Sequence, residues 1–481
     1  MVKRRKKNTR KIGCSKRFSE NGARARNINA STEVATCGEQ ISPFGGLLGL
    51  IKFLDLMDFK EIFRETYVAP RREPKLGHYC MVLGILMLMF IGFTRIWHFI
   101  YIRLDAMVCG ILRVPQLPIA STFWRYLDSM GINQAESLLR IMSRLRVEVW
   151  RRCEIKHSRI AIDIDTTVET IYGNQQGGRK GHNPQYRGKK GYRPVLCFIE
   201  QTREYLFGRL RKGETIGGEE TARVIRMIKG QLPPCVKEVL LRADGEFLSW
   251  ESVAAALQEG YDFVIANKRS TPFFDPAGWY RPRKAEELEY NSCFYQPMGW
   301  ESAQRFVVMR IPKKEEPGQQ AELFEEDRYT YRIFCTSLGG KAHEVIETYD
   351  KRADVENLLG EAKREGLDAI PSSKFKSNYA FFQMVMMAYN IWRYFKMLAQ
   401  RSTRGKCDEE KVMGWGGMKD HTIRIARLKL LMIAAKLVRA ENREQVKYSI
   451  QDTRTPGLLK FYEFLDGLRL EKNSGLIMSK A

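Results

Sequence analysis

The sequence has no paired cysteines, no histidine cluster, no apolar run of membrane length and no internal repeat. Each absence removes a class of function. The ten cysteines (Cys14, Cys37, Cys80, Cys109, Cys153, Cys197, Cys235, Cys293, Cys335, Cys407) are scattered, with no CxxC spacing. That excludes a zinc ribbon or finger, offers no disulfide framework, and fits a reducing, cytoplasmic setting. The six histidines (His78, His98, His157, His182, His343, His421) are isolated and read as core or surface residues. The longest apolar stretch, Met81–Thr94, has 14 residues and stops at Arg95. A spanning helix needs about 20, so this stretch reads as a buried core helix and no membrane partner is expected. No apolar stretch follows the basic N-terminus, so a signal peptide is not expected either.

Positive charge is abundant. The 481 residues carry 80 Lys+Arg against 56 Asp+Glu, a formal charge of +24. At 44% hydrophobic and 11% aromatic residues, the chain can bury a large core, and wholesale disorder is excluded. The length is enough for about three domains. The charge calls for a polyanionic partner, nucleic acid or an anionic surface. It is uneven: residues 1–30 hold eleven Lys/Arg (Lys3 to Lys7, Arg10, Lys11, Lys16, Arg17, Arg24, Arg26) and one acid, Glu20. Residues 1–40 therefore read as a basic, disordered arm.

From Ser42 to Trp150 the apolar residues recur at three- and four-residue spacing, which predicts helices. Within this block, residues 104–131 fit a helix, a proline turn at Val114–Pro118, and a second helix from Ser121-Thr122 with Phe123, Tyr126 and Leu127 on one face. The segment reads equally as a helix-turn-helix or as two packed helices. From Arg159 the pattern changes. RIAIDIDTT alternates, with Ile160, Ile162 and Ile164 on one face and Asp163 and Asp165 on the other. Further strands are predicted at 193–200, 204–209, 236–242 and 261–267, and helices at 219–229 and 250–258, which together argue for an α/β sheet. Residues 268–341, with six prolines and strand-like runs at 305–311 and 329–336, read as a β-rich insertion. Helix is expected again from Ala342 to Leu398, where Tyr379–Leu398 is aromatic enough for a core helix. A strand followed by a helix is expected over 422–438.

Asp165 and Asp244 each end a predicted strand, where open α/β sheets bind ligands. Either alone also reads as a turn residue. Downstream, Tyr349, Arg352, Glu356 and Lys363 form Y-x2-R-x3-E-x6-K. On one continuous helix they fall within about 60° of one another. Val355, Leu358, Leu359 and Ala362 make an adjacent apolar stripe. One carboxylate among two cations and a phenol suits a site that holds a metal and phosphates; an ordinary surface helix laced with ion pairs is the bland alternative. The segment Tyr172–Arg193 has six Gly, six Lys/Arg (Arg179, Lys180, Arg187, Lys189, Lys190, Arg193) and no acid. It fits a loop that meets phosphates, with Tyr186 and Tyr192 available to stack on bases. Lys374, Lys376 and Asn378 extend the same surface.

With these residues in place, the chain resembles bacterial insertion-sequence transposases of the DDE type. The resemblance covers residues 159–400: the D-T-T strand, the later strand ending in Asp-Gly, the β-rich insertion and the Y-R-E-K helix. It implies an RNase H-like mixed-sheet core at 156–267 and 342–400, interrupted by the insertion at 268–341. A helical DNA-end-binding region at 41–155 would precede it, and a C-terminal region at 401–481 would follow. It implies Asp165, Asp244 and Glu356 as catalytic acids binding a divalent metal, normally Mg²⁺ with Mn²⁺ tolerated. Asp163 is the alternative first acid; the family pattern of Thr directly after the Asp favours Asp165. Tyr349, Arg352 and Lys363 would hold transposon-end phosphates, with the Arg179–Arg193 cations beside them. The partners implied are transposon ends, target DNA and a second subunit in a synaptic complex, with no small-molecule substrate and a nucleoid-associated location. The reaction implied is cutting at terminal inverted repeats and strand transfer. A catalytically silent, domesticated DNA-binding derivative is one alternative, and a basic structural or RNA-binding protein is another.

Overall fold

In a computed structural model of the chain, residues 28–181, 187–268, 270–282, 287–313, 328–403 and 417–478 are described, with side chains through Lys472. The chain divides into two units, Met1–Glu39 and Gln40–Ala481. Of the first, the described residues 28–39 are exposed; the cations Lys3 to Arg26 lie outside the described residues, as does Tyr186.

The second unit opens with helices Leu47–Leu56, Phe59–Thr66, His78–Ile91, Ala106–Leu112, Ala120–Asp128 and Ile132–Arg152. His78–Ile91 holds the apolar run, and Met81 through Ile91 are all buried. Gly92, at φ +102°, ends it, a conformation that glycine adopts without a Cβ clash. No single described helix is long and apolar enough to cross a membrane; His78–Ile91 and Ile96–Ile102 qualify only as a pair bent by 89°. In the 104–131 segment the second helix starts at Ala120, and Phe123, Tyr126 and Leu127 are buried as the spacing required.

An eight-stranded sheet occupies the centre. Its strands, numbered in chain order, are β1 Arg159–Thr166, β2 Val195–Ile199, β3 Glu204–Arg209, β4 Glu238–Ala243, β5 Asp262–Asn267, β6 Glu289–Tyr295, β7 Gln304–Pro312 and β8 Tyr329–Thr336. The order across the sheet is β6-β7-β8-β5-β4-β1-β2-β3. β1 pairs in parallel with β4, and β4 with β5; the other neighbours are antiparallel. Parallel neighbours need crossovers, and helices Gly218–Ile228 and Trp250–Gln258 supply them. The strands within 268–341 continue this sheet, with β8 joined to β5. β1 is covered on both faces: Ile160, Ile162 and Ile164 join the main core, while Ala161 joins a smaller one with Leu240, Val264, Phe334 and Ile346.

The outer edge at β3 is closed by side chains rather than another strand. Asn390 bonds the N–H and C=O of Tyr205, Gln383 donates to Gly208 O, and Arg146 donates to Tyr205 O and Leu206 O. Asn390 and Gln383 lie on helix Phe375–Arg401, which is buried on nearly every face. Covering an edge in this way removes a template for unwanted pairing.

Residues 422–438 and the Y-R-E-K segment differ from the sequence reading. Over 422–438 the order is helix Ile423–Leu430, then strand Ala435–Ala440, the reverse of the expectation. Thr422 caps the helix by accepting from Ile425 N–H, and the strand is recruited by pairing with Arg443–Tyr448 and Ile41–Ser42. The Y-R-E-K segment is not one helix. Ala342–Asp350 passes through a 3₁₀ turn, Lys351–Ala353, into helix Asp354–Ala362 and then a π turn, Lys363–Leu367. Gly366 at φ +117° breaks the last piece.

Candidate active site

The parallel ladder between β1 and β4 sets Ile164 against Ala243, so the next residues on the two strands are Asp165 and Asp244. Asp165 Oδ1 accepts from Thr166 N–H at 2.7 Å, and Arg352 Nη2 lies 2.8 Å from Oδ2. Burial pushes the Asp165 carboxyl up to about 6; Arg352 opposes the rise, and the charges of Asp244 and Glu246 add to it. Asp244 starts a 3₁₀ turn and accepts from Gly245 N–H at 2.5 Å. Lys268, just past the end of β5, reaches it at 2.9 Å. Burial raises the Asp244 carboxyl, but the bonds from Lys268 and Gly245 N–H outweigh burial and hold it below its ordinary value.

Asp163, the alternative first acid, is committed elsewhere. Arg242 grips both its oxygens, at 2.7 and 2.8 Å, and neither side chain is more than 4% exposed. Arg242 also donates to Thr348 O at 3.0 Å and lies 3.2 Å from Glu200.

The Y-R-E-K residues divide. Arg352 is buried, bonds Ile164 O at 3.2 Å and faces Asp165, so its guanidinium is turned inward to the acids. Tyr349 packs against Phe334 with ring centroids 4.5 Å apart and planes tilted by 51°, and has Arg352 at its face. Burial raises its phenol. Lys363 donates to Val168 O at 3.2 Å, just beyond β1. Glu356 is exposed on helix Asp354–Ala362. Three acids near it are engaged: Asp354 with Arg203 at 2.9 Å, Glu361 with Arg393, and Glu365 with Arg427. Among the described residues Glu356 alone of these acids has no ion pair. Val355, Leu358, Leu359 and Ala362 are buried, as the apolar stripe required.

The Gly/Lys/Arg-rich segment builds a small antiparallel sheet, Glu169–Thr170, Lys190–Tyr192 and Arg179–Lys180, where a loop was expected. Lys180, Arg187, Lys189 and Lys190 are exposed; Lys189 covers the Tyr172 ring at 5.0 Å, and Arg179 pairs with Glu214. Tyr192 is buried and unavailable for stacking on a base. Arg193 turns inward to Glu246 at 2.5 Å and Thr166 at 3.2 Å. Asn378 is buried against Ser372 and does not extend the basic surface; Lys374, paired with Asp128, and Lys376 are exposed.

Sequence reasoning missed Glu246, Lys268 and Arg242. The first two follow strand ends, as Asp244 does, and that position was the available signal. Among the described residues no group of three His, Cys, Asp or Glu side chains is gathered closely enough to hold a metal ion.

A family model, Transposase DDE domain group 1, matches residues 25–469. The chain belongs to this transposase family. No match is found among the curated proteins. Of solved structures, the transposase is similar at 10% identity and a TM-score of 0.43 to the piggyBac transposase in its synaptic complex with hairpin DNA, over 86% of this chain and 85% of that one. It is similar at 10% identity and a TM-score of 0.17 to the Mos1 transposase in a paired-end complex with the left transposon end, over 40% and 60% of the two chains. In this transposase, then, two aspartates meet at the ends of neighbouring parallel strands, each held by a cation, with an exposed glutamate on the helix that follows Arg352.

Proposed function

We propose that this transposase cuts DNA at the terminal inverted repeats of an insertion sequence and joins the ends to target DNA. Asp165, Asp244 and Glu356 form its acidic set. The observation that carries the reading is the adjacency of Asp165 and Asp244 where β1 and β4 end. Two hard carboxylates fit a divalent cation such as Mg²⁺, which keeps several waters and needs few protein ligands; Mn²⁺ fits the same donors. Arg352 and Lys268 stand against these carboxylates as positive charges. Glu356 is the third member that the family resemblance implies, and the engagement of its neighbours Asp354, Glu361 and Glu365 in ion pairs supports it. Asp163 is set aside because Arg242 occupies both its oxygens.

When bound, the cation supplies Lewis-acid stabilisation of the phosphate and activation of the attacking oxygen. The chain's own residues supply the rest. Lys268 is 66% exposed and free to turn from Asp244 to a phosphate oxygen. Arg352 holds the Asp165 carboxylate in place from the buried side. Arg179, Lys180, Arg187, Lys189 and Lys190 take backbone phosphates along the small sheet, and Lys363 fixes the chain beyond β1. The helical region 41–155 reads the transposon end, and a second subunit holds the other end.

A second reading is a catalytically silent DNA-binding derivative, since among the described residues no three acids are gathered closely enough to hold a metal ion. One assay separates the two: cleavage of DNA carrying the element's ends, with Mg²⁺ and then with EDTA. Metal-dependent nicking at the ends, lost in Asp165→Ala, Asp244→Ala and Glu356→Ala while DNA binding persists, supports the transposition reading. Full activity in any of those variants overturns the site. Binding without nicking in the native chain supports the silent one.

A further inference from the structure

Glu246 lies two residues after Asp244, in the 3₁₀ turn Gly245–Phe247. One of its carboxylate oxygens accepts from the Thr166 hydroxyl, and the other takes Arg193 Nη2 at 2.5 Å. Arg193 Nε donates to the same Thr166 hydroxyl at 3.2 Å. Three side chains from three separate segments therefore close a ring. The Arg193 and Glu246 side chains are only 11% and 17% exposed, so water screens the pair weakly. Thr166 is the link to the chemistry, since its N–H is bonded to the Asp165 carboxylate while its hydroxyl is bonded to Glu246.

We infer that Glu246 is a positioning residue of this active site: through Thr166 and Arg193 it fixes the end of β1, with Asp165, against the end of β4, with Asp244. The inference rests on the assignment of those two aspartates above. With one oxygen turned to Thr166 and the other to Arg193, Glu246 acts through those partners. The residue type is required. Gln would present an NH₂ donor to one of two donor partners, and Asp is one carbon too short to span both. Arg193 is then the clamp that ties the small basic sheet to β1; its backbone is held in turn by Arg211, which bonds it at both N–H and C=O.

The test uses the full chain and the variants Glu246→Ala, Glu246→Gln, Thr166→Val, Thr166→Ser and Asp165→Asn. Mn²⁺ binding is measured by calorimetry without DNA, and kcat and KM on end DNA are measured beside it. Expected are a loss of about 10- to 100-fold in Mn²⁺ affinity and kcat for Glu246→Ala and Thr166→Val, a DNA KM within about twofold of native, and near-native behaviour for Thr166→Ser, which keeps the hydroxyl. Should Glu246→Ala fail to fold, the two Thr166 variants carry the comparison. Native Mn²⁺ affinity and kcat in Glu246→Ala or in Thr166→Val, with Asp165→Asn inactive, overturn the positioning role alone. Loss of Mn²⁺ binding as complete in Glu246→Gln as in Asp165→Asn makes Glu246 a ligand and also overturns it. Cutting retained by Asp165→Asn overturns the site reading itself, and the positioning role with it.

Discussion

Asp165 and Asp163 stand two residues apart on one face of β1, yet Arg242 grips both oxygens of Asp163 while Asp165 meets Arg352 through one. The same side-chain type thus serves two purposes on one strand. Asp163 neutralises a fully buried guanidinium that also bonds Thr348 O. Asp165 sits one step beyond the last β1–β4 pair, still paired with Leu196 of β2 on its other side.

Removing Asp163 should therefore be a stability change. Asp163→Ala leaves Arg242 buried without its main counter-charge, and a cost of about 3–5 kcal/mol is expected. Urea unfolding of Asp163→Ala beside Asp165→Ala measures this. A larger loss for Asp165→Ala would reverse the assignment of the two residues.

Asp165→Asn and Asp244→Asn should each lower end cleavage by more than about 100-fold, beyond the usual effect of residues that only support a metal site. End-DNA affinity should stay within about threefold, since each change takes away a negative charge near the phosphates and leaves the cations that bind them. Gel-shift and nicking assays on one preparation check both halves.

The small basic sheet should set the salt dependence of DNA binding. Removing one cation that neutralises a phosphate lowers the log–log slope by roughly 0.9. Arg187→Ala with Lys190→Ala should reduce the slope by up to two such steps. Arg193→Ala should leave the slope nearly unchanged, because its guanidinium faces Glu246 and Thr166. Binding measured across a salt series decides it.

Lys396 gives a pH signature far from the aspartates. It is fully buried and donates to His421 O. Burial lowers its ammonium to about 7, with Arg393 adding to the effect and Glu361 opposing it. The folded state then holds the proton less tightly than the unfolded chain, so the group's penalty is complete below pH 7 and fades as pH rises toward the ordinary lysine range. Lys396→Met should stabilise the protein by a few kcal/mol at pH 7. The gain should shrink steadily between pH 7 and pH 10. Melting curves of both proteins across that range test it, and a gain independent of pH would contradict it.

Elements with one strong period were legible in the chain itself. β3, β8 and helix Trp250–Gln258 run as their patterns predicted, because alternation or helical spacing there meets no competing signal. The 422–438 run failed since its residues suit helix and strand alike, and pairing with Arg443–Tyr448 decided where the strand lies. Helical phase placed Tyr349, Arg352, Glu356 and Lys363 together on one stripe, but a 3₁₀ turn and a π turn change that phase.

By itself the sequence determined the strand ends that carry Asp165 and Asp244, the burial of Met81–Ile91, and the basic segment downstream of β1, since each follows from residues within one or two turns of chain. Tertiary structure alone decided which carboxylates remain available. Arg242, Arg393 and Arg427 pair with Asp163, Glu361 and Glu365 across 79, 32 and 62 residues of chain. The register of a parallel ladder, also long-range, sets Asp165 beside Asp244. Local pattern carries no record of such pairings, because a buried charge is neutralised by whichever partner the packing brings to it.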